Sequence, residues 1–223
     1  MRTTATRLLA TVAAAAVLTT VAASRALAQE NAAKDANVKI VDAAGLSRAK
    51  GSENATIHVY ELADFQCPFC GKFATELMGR IDSAYIKTGK VQWVFVNMPL
   101  PMHQNAWMAA EAALCAGATN KFWAMHDKLY KNQAEWSTSQ DPAPMFARYA
   151  KEAGVTAEPY TSCTTNDRVA TLIINDVMFG AAARINGTPT FIINDEETVV
   201  GMKTFDEWKE ILDNAIRKAA AKK

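Results

Sequence analysis

The residues best placed to do chemistry are Cys67 and Cys70, which enclose Pro68 and Phe69 in a C-P-F-C run. In a C-x-x-C at the first turn of a helix, the first sulfur lies near exposed N–H groups and the positive end of the helix dipole, which favour its thiolate. Cys67 is therefore the expected nucleophile. Cys70, one turn further in, faces the protein and can attack a mixed disulfide on Cys67, which makes it the resolving partner. Pro68 at the helix start loses nothing by lacking an N–H, and it stiffens the turn. Two other readings compete. Half of a zinc site would need two more close ligands, but Cys115 and Cys163 are far apart and His58, His103 and His126 show no paired spacing, so no metal is expected. A purely structural staple across so short a loop would be strained and would gain little loop entropy.

The elements that must position this pair can be read from periodicity. Thr56 to Asp64 (TIHVYELAD) has the β-branched and aromatic density of a strand and runs directly into the C-P-F-C. From Phe69 to about Lys87 the apolar residues Phe73, Leu77, Ile81 and Tyr85 fall at helical spacing, and Val91 to Val96 reads as a second buried strand. The cysteines thus sit on a strand-to-helix junction inside a βαβ unit. Pro99 to about Arg184 contains no convincing strand. Its helical patterns are Asn105 to Ala118, Lys121 to Asn132, Pro142 to Glu152 and Arg168 to Ala183, with Pro159 to Thr164 a short turn or helix. Strand character resumes at Thr190 to Asn194 and Thr198 to Val200. Thr204 and Glu207 then form a capping-box signature for a helix to about Ala219.

Residues 1 to 28 read as an export signal: Arg2 and Arg7, an apolar stretch from Leu8 to Ala23, and the small-residue site Ala26-Leu27-Ala28. The alternative, an uncleaved anchor, is disfavoured because the stretch falls short of the roughly 20 residues that span a bilayer. Val21-Ala22-Ala23 offers an earlier cut. Residues 29 to 54 form a polar lead-in with at most a short edge strand around Val38 to Val41. The composition, 223 residues with 50% apolar, 21% charged and a formal charge of +1, suits a globular chain and argues against non-specific nucleic-acid binding. An export signal implies an oxidising destination, the periplasm in a bacterium, where cysteines are expected to pair.

The segment Glu61 to Cys70 (ELADFQCPFC), taken with Gly187-Thr188-Pro189-Thr190-Phe191 far downstream, resembles the DsbA family of thiol-disulfide oxidoreductases over about residues 55 to 219. The resemblance implies an α/β thioredoxin fold, built from residues 55–98 and 185–223 and interrupted by an all-helical insertion at 99–184. It also implies that Pro189 is cis and lies against the active-site sulfurs. The backbone of Thr188, together with Pro68 and Phe69, would then contact an extended substrate segment. Glu61 stands where such proteins keep a buried acid beneath the disulfide. Strand alternation turns its side chain inward, where a carboxyl of raised pKa could relay the proton of Cys70; a solvent-facing edge residue is the alternative. Asp64 reads as nearer the surface and receives no role. Phe69 departs from the best-known oxidising members, which carry a His there that donates a hydrogen bond to the thiolate. A weaker oxidant is expected as a result.

Cys115 and Cys163 both fall in the helical stretch. In an oxidising compartment they are expected to form a structural disulfide, with two buried unpaired thiols as the alternative. The aromatic residues Phe122, Trp123, Tyr130 and Trp136 and the methionines Met102, Met108, Met125 and Met145 lie at core spacing rather than marking a peptide-binding surface. His103 is either at the site's rim or without a task, and His126 reads as structural.

The expected activity is donation of the Cys67–Cys70 disulfide to reduced cysteines of exported proteins, with no dissociable cofactor. The resemblance suggests reoxidation by a DsbB-like quinone-linked membrane protein. A disulfide isomerase or reductase held reduced is the alternative. Such proteins are commonly oligomers with an added association module, and the short lead-in lacks one, so a monomer is expected. A non-catalytic copper(I)-binding or interaction protein is a third reading.

Overall fold

The computed structural model describes residues 5–222, with side chains from residue 25 onward. Of the export signal expected over residues 1–28, residues 1–4 lie outside the described residues, and the side chains up to residue 24 are not described. Residues 1–39 and 40–223 form two separate units, and the first is described as helix alone. That helix, α1, runs Ala5–Leu46. It includes Val38 to Val41, where an edge strand was expected. The segment from Gln29 onward is rich in Ala, Lys, Asp and Asn, with no Pro and no Gly before Gly45, so nothing local breaks a helix. The edge strand forms later, as β1 at Ala49–Lys50. Among the described residues no helix is long and apolar enough to cross a membrane.

The second unit is built on a five-stranded sheet. After β1 come β2 (Ile57–Ala63), β3 (Val91–Asn97), β4 (Thr190–Ile193) and β5 (Glu197–Val200), in the spatial order β1-β3-β2-β4-β5. β2 and β3 are parallel, with Ile57 opposite Val91 and Ala63 opposite Asn97; every other pairing is antiparallel. The parallel pair is the βαβ unit expected from the sequence, and its crossover carries the C-P-F-C. That crossover is not one helix. It consists of α2 (Pro68–Glu76), the short α3 (Met78–Ile81) and a π-helical turn at Asp82–Ile86. The wider turn leaves Tyr85 and Ile86 both buried, and the Tyr85 hydroxyl donates to Asp213 at 2.9 Å.

Between β3 and β4 the chain is helical: α4 (Ala106–Gly117), α5 (Phe122–Lys131), α6 (Gln133–Trp136), α7 (Ala143–Glu152), α8 (Ala157–Thr165) and α9 (Ala170–Ala182). The chain closes with α10 (Phe205–Ala221), opened by the Thr204–Glu207 capping box that the sequence signals. This is a thioredoxin fold with a helical insertion.

Two hydrophobic clusters form the core, and one of them encloses both cysteines. One joins Ile57, Val59 and Trp93 of the sheet to Phe73 of α2 and Trp208 and Leu212 of α10. The other gathers the apolar faces of α4, α5 and α7 around Phe65, Phe95, Cys67 and Cys70. Phe122, Met125, Tyr130 and Trp136 are buried core, as their spacing suggested, whereas Met102 and Met108 are exposed. A deeply buried apolar anchor on each side of the site gives its backbone little freedom to move.

Candidate active site

Cys67 is the N-cap of α2, with extended backbone dihedrals, and Pro68 occupies the first helical position. The chain must leave β2, turn, and enter a helix within four residues. Asp64 accomplishes that turn. Its carbonyl accepts the Cys67 N–H at 3.1 Å, and its Oδ1 accepts the Gln66 N–H at 2.7 Å. Both cysteines are buried and free, Cys70 completely so. Phe69 between them points outward and is 63% exposed, so it gives the sulfurs no polar partner.

The Thr188–Pro189 peptide bond is cis. This loop meets the nucleophile: the Cys67 thiol donates to the Thr188 carbonyl oxygen at 3.4 Å. The Thr188 hydroxyl is buried with no hydrogen-bond partner among the described residues, which leaves it available to the sulfurs.

These surroundings drive the two sulfurs apart. The Cys67 thiol is pulled down to about 5, first by the hydrogen bond from Cys70 and then by the nearby Thr188 side chain and the Cys70 and Phe69 N–H groups, against the opposing effect of burial. Cys70 moves the other way. Burial pushes its thiol well above the ordinary value, and both the hydrogen bond it gives to Cys67 and the Cys67 charge add to the rise. The pair thus holds one thiolate and one thiol, and the two titrate as a coupled system.

Glu61 lies on the same face of β2 as Ile57 and Val59, completely buried, and the edge-strand alternative does not hold. Its Oε2 accepts the Trp93 indole N–H at 2.7 Å, while Oε1 is buried without a partner among the described residues. Burial raises its carboxyl to about 7, with the Trp93 bond and the charge of Lys50 opposing. The buried Tyr130 hydroxyl donates to the Asp64 carbonyl at 3.3 Å, and burial, followed by the charges of Cys70, Glu61, Asp64 and Cys67, pushes its pKa well up.

Asp64 corrects the sequence reading. Rather than lying near the surface, it is 1% exposed, and its Oδ2 accepts the Leu100 N–H and pairs with His103 Nδ1, each at 2.7 Å. His103 therefore has a task, fixing the acid that shapes the active-site turn. Gln66, Asn105 and Gln133 were missed altogether. Gln66 accepts the Asn105 N–H at 2.8 Å and donates to the Ser137 carbonyl at 2.9 Å, and Gln133 donates to the Phe65 and Cys67 carbonyls. Asn105 and Gln133 fall in short polar runs at helix starts, whereas Gln66 stands alone between Phe65 and Cys67 and carries no such signal. His126 is fully buried among the rings of Phe95, Trp123 and Tyr130, and burial lowers its pKa despite Asp127. Cys115 and Cys163 are bonded, their Cα atoms 5.7 Å apart.

A thioredoxin fold whose cysteine pair stands at a helix N-terminus against a cis-proline loop defines a protein equipped for thiol chemistry. A family model described as thioredoxin matches residues 43–214, and the chain belongs to that family. A protein of Rickettsia bellii named as a protein-disulfide oxidoreductase is 29% identical over 149 residues, covering 66% of this chain and 57% of that one. Part of the Na(+)/H(+) antiporter NhaA 3 of Salinispora tropica is 33% identical over 146 residues, covering 65% of this chain and 21% of that one. The chain spans 21 to 61% of the length of the first curated relatives it matches. The solved structure of α-DsbA1 from Wolbachia pipientis superposes with a TM-score of 0.70 at 21% identity, covering 78% of this chain and 93% of that one. The fold is the DsbA arrangement of a thioredoxin domain with a helical insertion.

Proposed function

We propose that the protein is an exported thiol:disulfide oxidoreductase that donates a Cys67–Cys70 disulfide to reduced cysteines of other exported proteins. The observation that carries this reading is the opposed pair of sulfur environments, Cys67 pulled down to about 5 and Cys70 pushed up. A substrate thiolate attacks Cys67 of the disulfide. The new bond joins substrate sulfur to Cys67, the Cys67–Cys70 bond breaks, and Cys70 leaves and takes up a proton for which the raised Glu61 carboxyl is a source. A second substrate thiolate then attacks the substrate sulfur of the mixed disulfide and expels Cys67 as a thiolate. Two electrons pass from substrate to enzyme, and the substrate gains a disulfide.

A stabilised leaving thiolate speeds the second step, and a stabilised reduced form makes the disulfide oxidising. The name of the Rickettsia relative supports exchange as the reaction class. Pro189 and Thr188 would hold an extended substrate segment at the sulfurs, with Pro68 and the exposed Phe69 on its other side. Residues 1–28 support export, the periplasm being the destination in a bacterium, and a quinone-linked membrane protein would reoxidise a monomeric enzyme.

The test is equilibration of the protein in graded glutathione buffers, with alkylation of free thiols and mass analysis of the Cys67–Cys70 peptide. A potential at or above about −180 mV is expected, below the roughly −120 mV of the strongest oxidant of this type because Phe69 supplies no donor. A value near about −270 mV would replace donation by reduction as the direction of the reaction.

A further inference from the structure

The Cys67 carbonyl oxygen has two donors of different origin. One is the Gly71 N–H at 3.1 Å, the first hydrogen bond of α2. The other is Nε2 of Gln133 at 2.9 Å, reaching in from α6 of the helical insertion. The same Nε2 donates to the Phe65 carbonyl at 2.7 Å, so a single amide bridges the carbonyls on either side of Gln66. α2 makes room for it. A Cβ built on Gly71, which is buried, would stand 2.7 Å from Gln133 Oε1 and 3.1 Å from its Nε2, so the amide lies where any other residue would place its side chain. Gly71 has no positive φ to explain its presence in the helix, where glycine is less favourable than Ala.

We propose that Gln133 is a positioning residue for the nucleophile, holding the Phe65-to-Cys67 backbone so that the Cys67 sulfur stays in reach of the N–H groups that favour its thiolate, with Gly71 as the matching socket. The inference rests on the exchange function proposed above and adds a residue from the insertion to its machinery. Pro68 has no N–H, so the first peptide of α2 cannot be anchored from its nitrogen side. Its carbonyl side, at Cys67, is where anchoring remains open, and Gln133 occupies it. When the Cys67 carbonyl is held, the direction of the next N–H groups, on Phe69 and Cys70, is held with it, and both act on the Cys67 sulfur. Loss of the amide leaves the Phe65 carbonyl short of a donor and lets the turn rotate away from that geometry. The insertion thereby reaches the sulfur through one side chain.

The experiment follows the ultraviolet absorbance of the Cys67 thiolate against pH in the reduced full-length protein. Gln133→Met keeps the length of the side chain and removes both donors; Gly71→Ala displaces the amide from the other side. Each is expected to raise the thiolate midpoint by about half to one pH unit. Because both act on one contact, the double variant should move it no further than the larger single change. Far-UV circular dichroism and the retained Cys115–Cys163 bond establish that each variant is folded, and if Gln133→Met is not, Gln133→Asn and Gly71→Ala decide. A low wild-type midpoint that no folded variant moves overturns the positioning role alone, as does full additivity of the two changes. A wild-type midpoint near that of an ordinary thiol would overturn the exchange reading and the positioning role together.

Discussion

Cys67 and Cys70 remain a free pair, while Cys115 and Cys163, with a sequence separation of 48, are bonded, yet all four are buried to within 5% of full enclosure. Burial therefore does not separate the reactive pair from the structural one. What separates them is the set of donors each sulfur meets. Cys67 caps a helix and faces N–H groups, a second thiol and the Thr188 loop. Cys115 lies late in α4 and Cys163 inside α8, where the backbone N–H groups are already committed to their own helices and the neighbours are alanines and aromatic rings. A thiolate has support in the first place and none in the second. On the exchange reading proposed above, a cysteine pair at one end of a helix is a redox centre, while the pair between α4 and α8 joins two helices.

The contrast breaks most sharply through the cysteines themselves. Cys67→Ser should abolish exchange with a small-molecule disulfide while leaving the unfolding midpoint near wild type. Cys115→Ala combined with Cys163→Ala should do the reverse, costing about 3–4 kcal/mol in denaturant unfolding and leaving the Cys67 titration in place. If the double alanine variant lost exchange while still folded, the second pair would belong to the site.

Glu61→Gln sharpens the comparison at the resolving sulfur. In the folded protein the Glu61 carboxyl binds its proton up to about pH 7, whereas an unfolded chain releases it near 4.5, so between those values the folded state holds more protons and stability falls as pH rises. The Gln variant lacks that fall and should gain about 1–3 kcal/mol on wild type between pH 4 and pH 8, measured by urea unfolding of the oxidised forms. Its release of Cys70 should slow near neutral pH. Parallel stability curves would show that the carboxyl titrates as an exposed one.

The smallest expected effect is at Phe69. Phe69→His places a donor beside the Cys67 sulfur and should raise the potential by some tens of millivolts, about 30 mV for each pH unit by which the thiolate midpoint falls. No comparable change near Cys115 should move either quantity, because that pair has no thiolate to stabilise.

The order of strands and helices, the C-P-F-C junction and the capping box at Thr204 were legible in the sequence because each rests on contacts between near neighbours: alternation, helical spacing, a cap three residues from its partner. Val38 to Val41 misled for the complementary reason. Its β-branched residues suggested a strand, but a lone short run has no partner to pair with and continues the helix it adjoins. The roles of Asp64, His103, Gln66 and Gln133 could not be read, since each is defined by a partner tens of residues away: Asp64 by Leu100 and His103, Gln133 by Phe65 and Cys67. Residue types and spacing were enough to pick out the cysteines suited to thiol chemistry and the strand-to-helix junction that presents them. The burial of Asp64 and the partners of His103, Gln66 and Gln133 came from the folded packing alone, because desolvation and hydrogen bonding depend on what the folded chain places against each group.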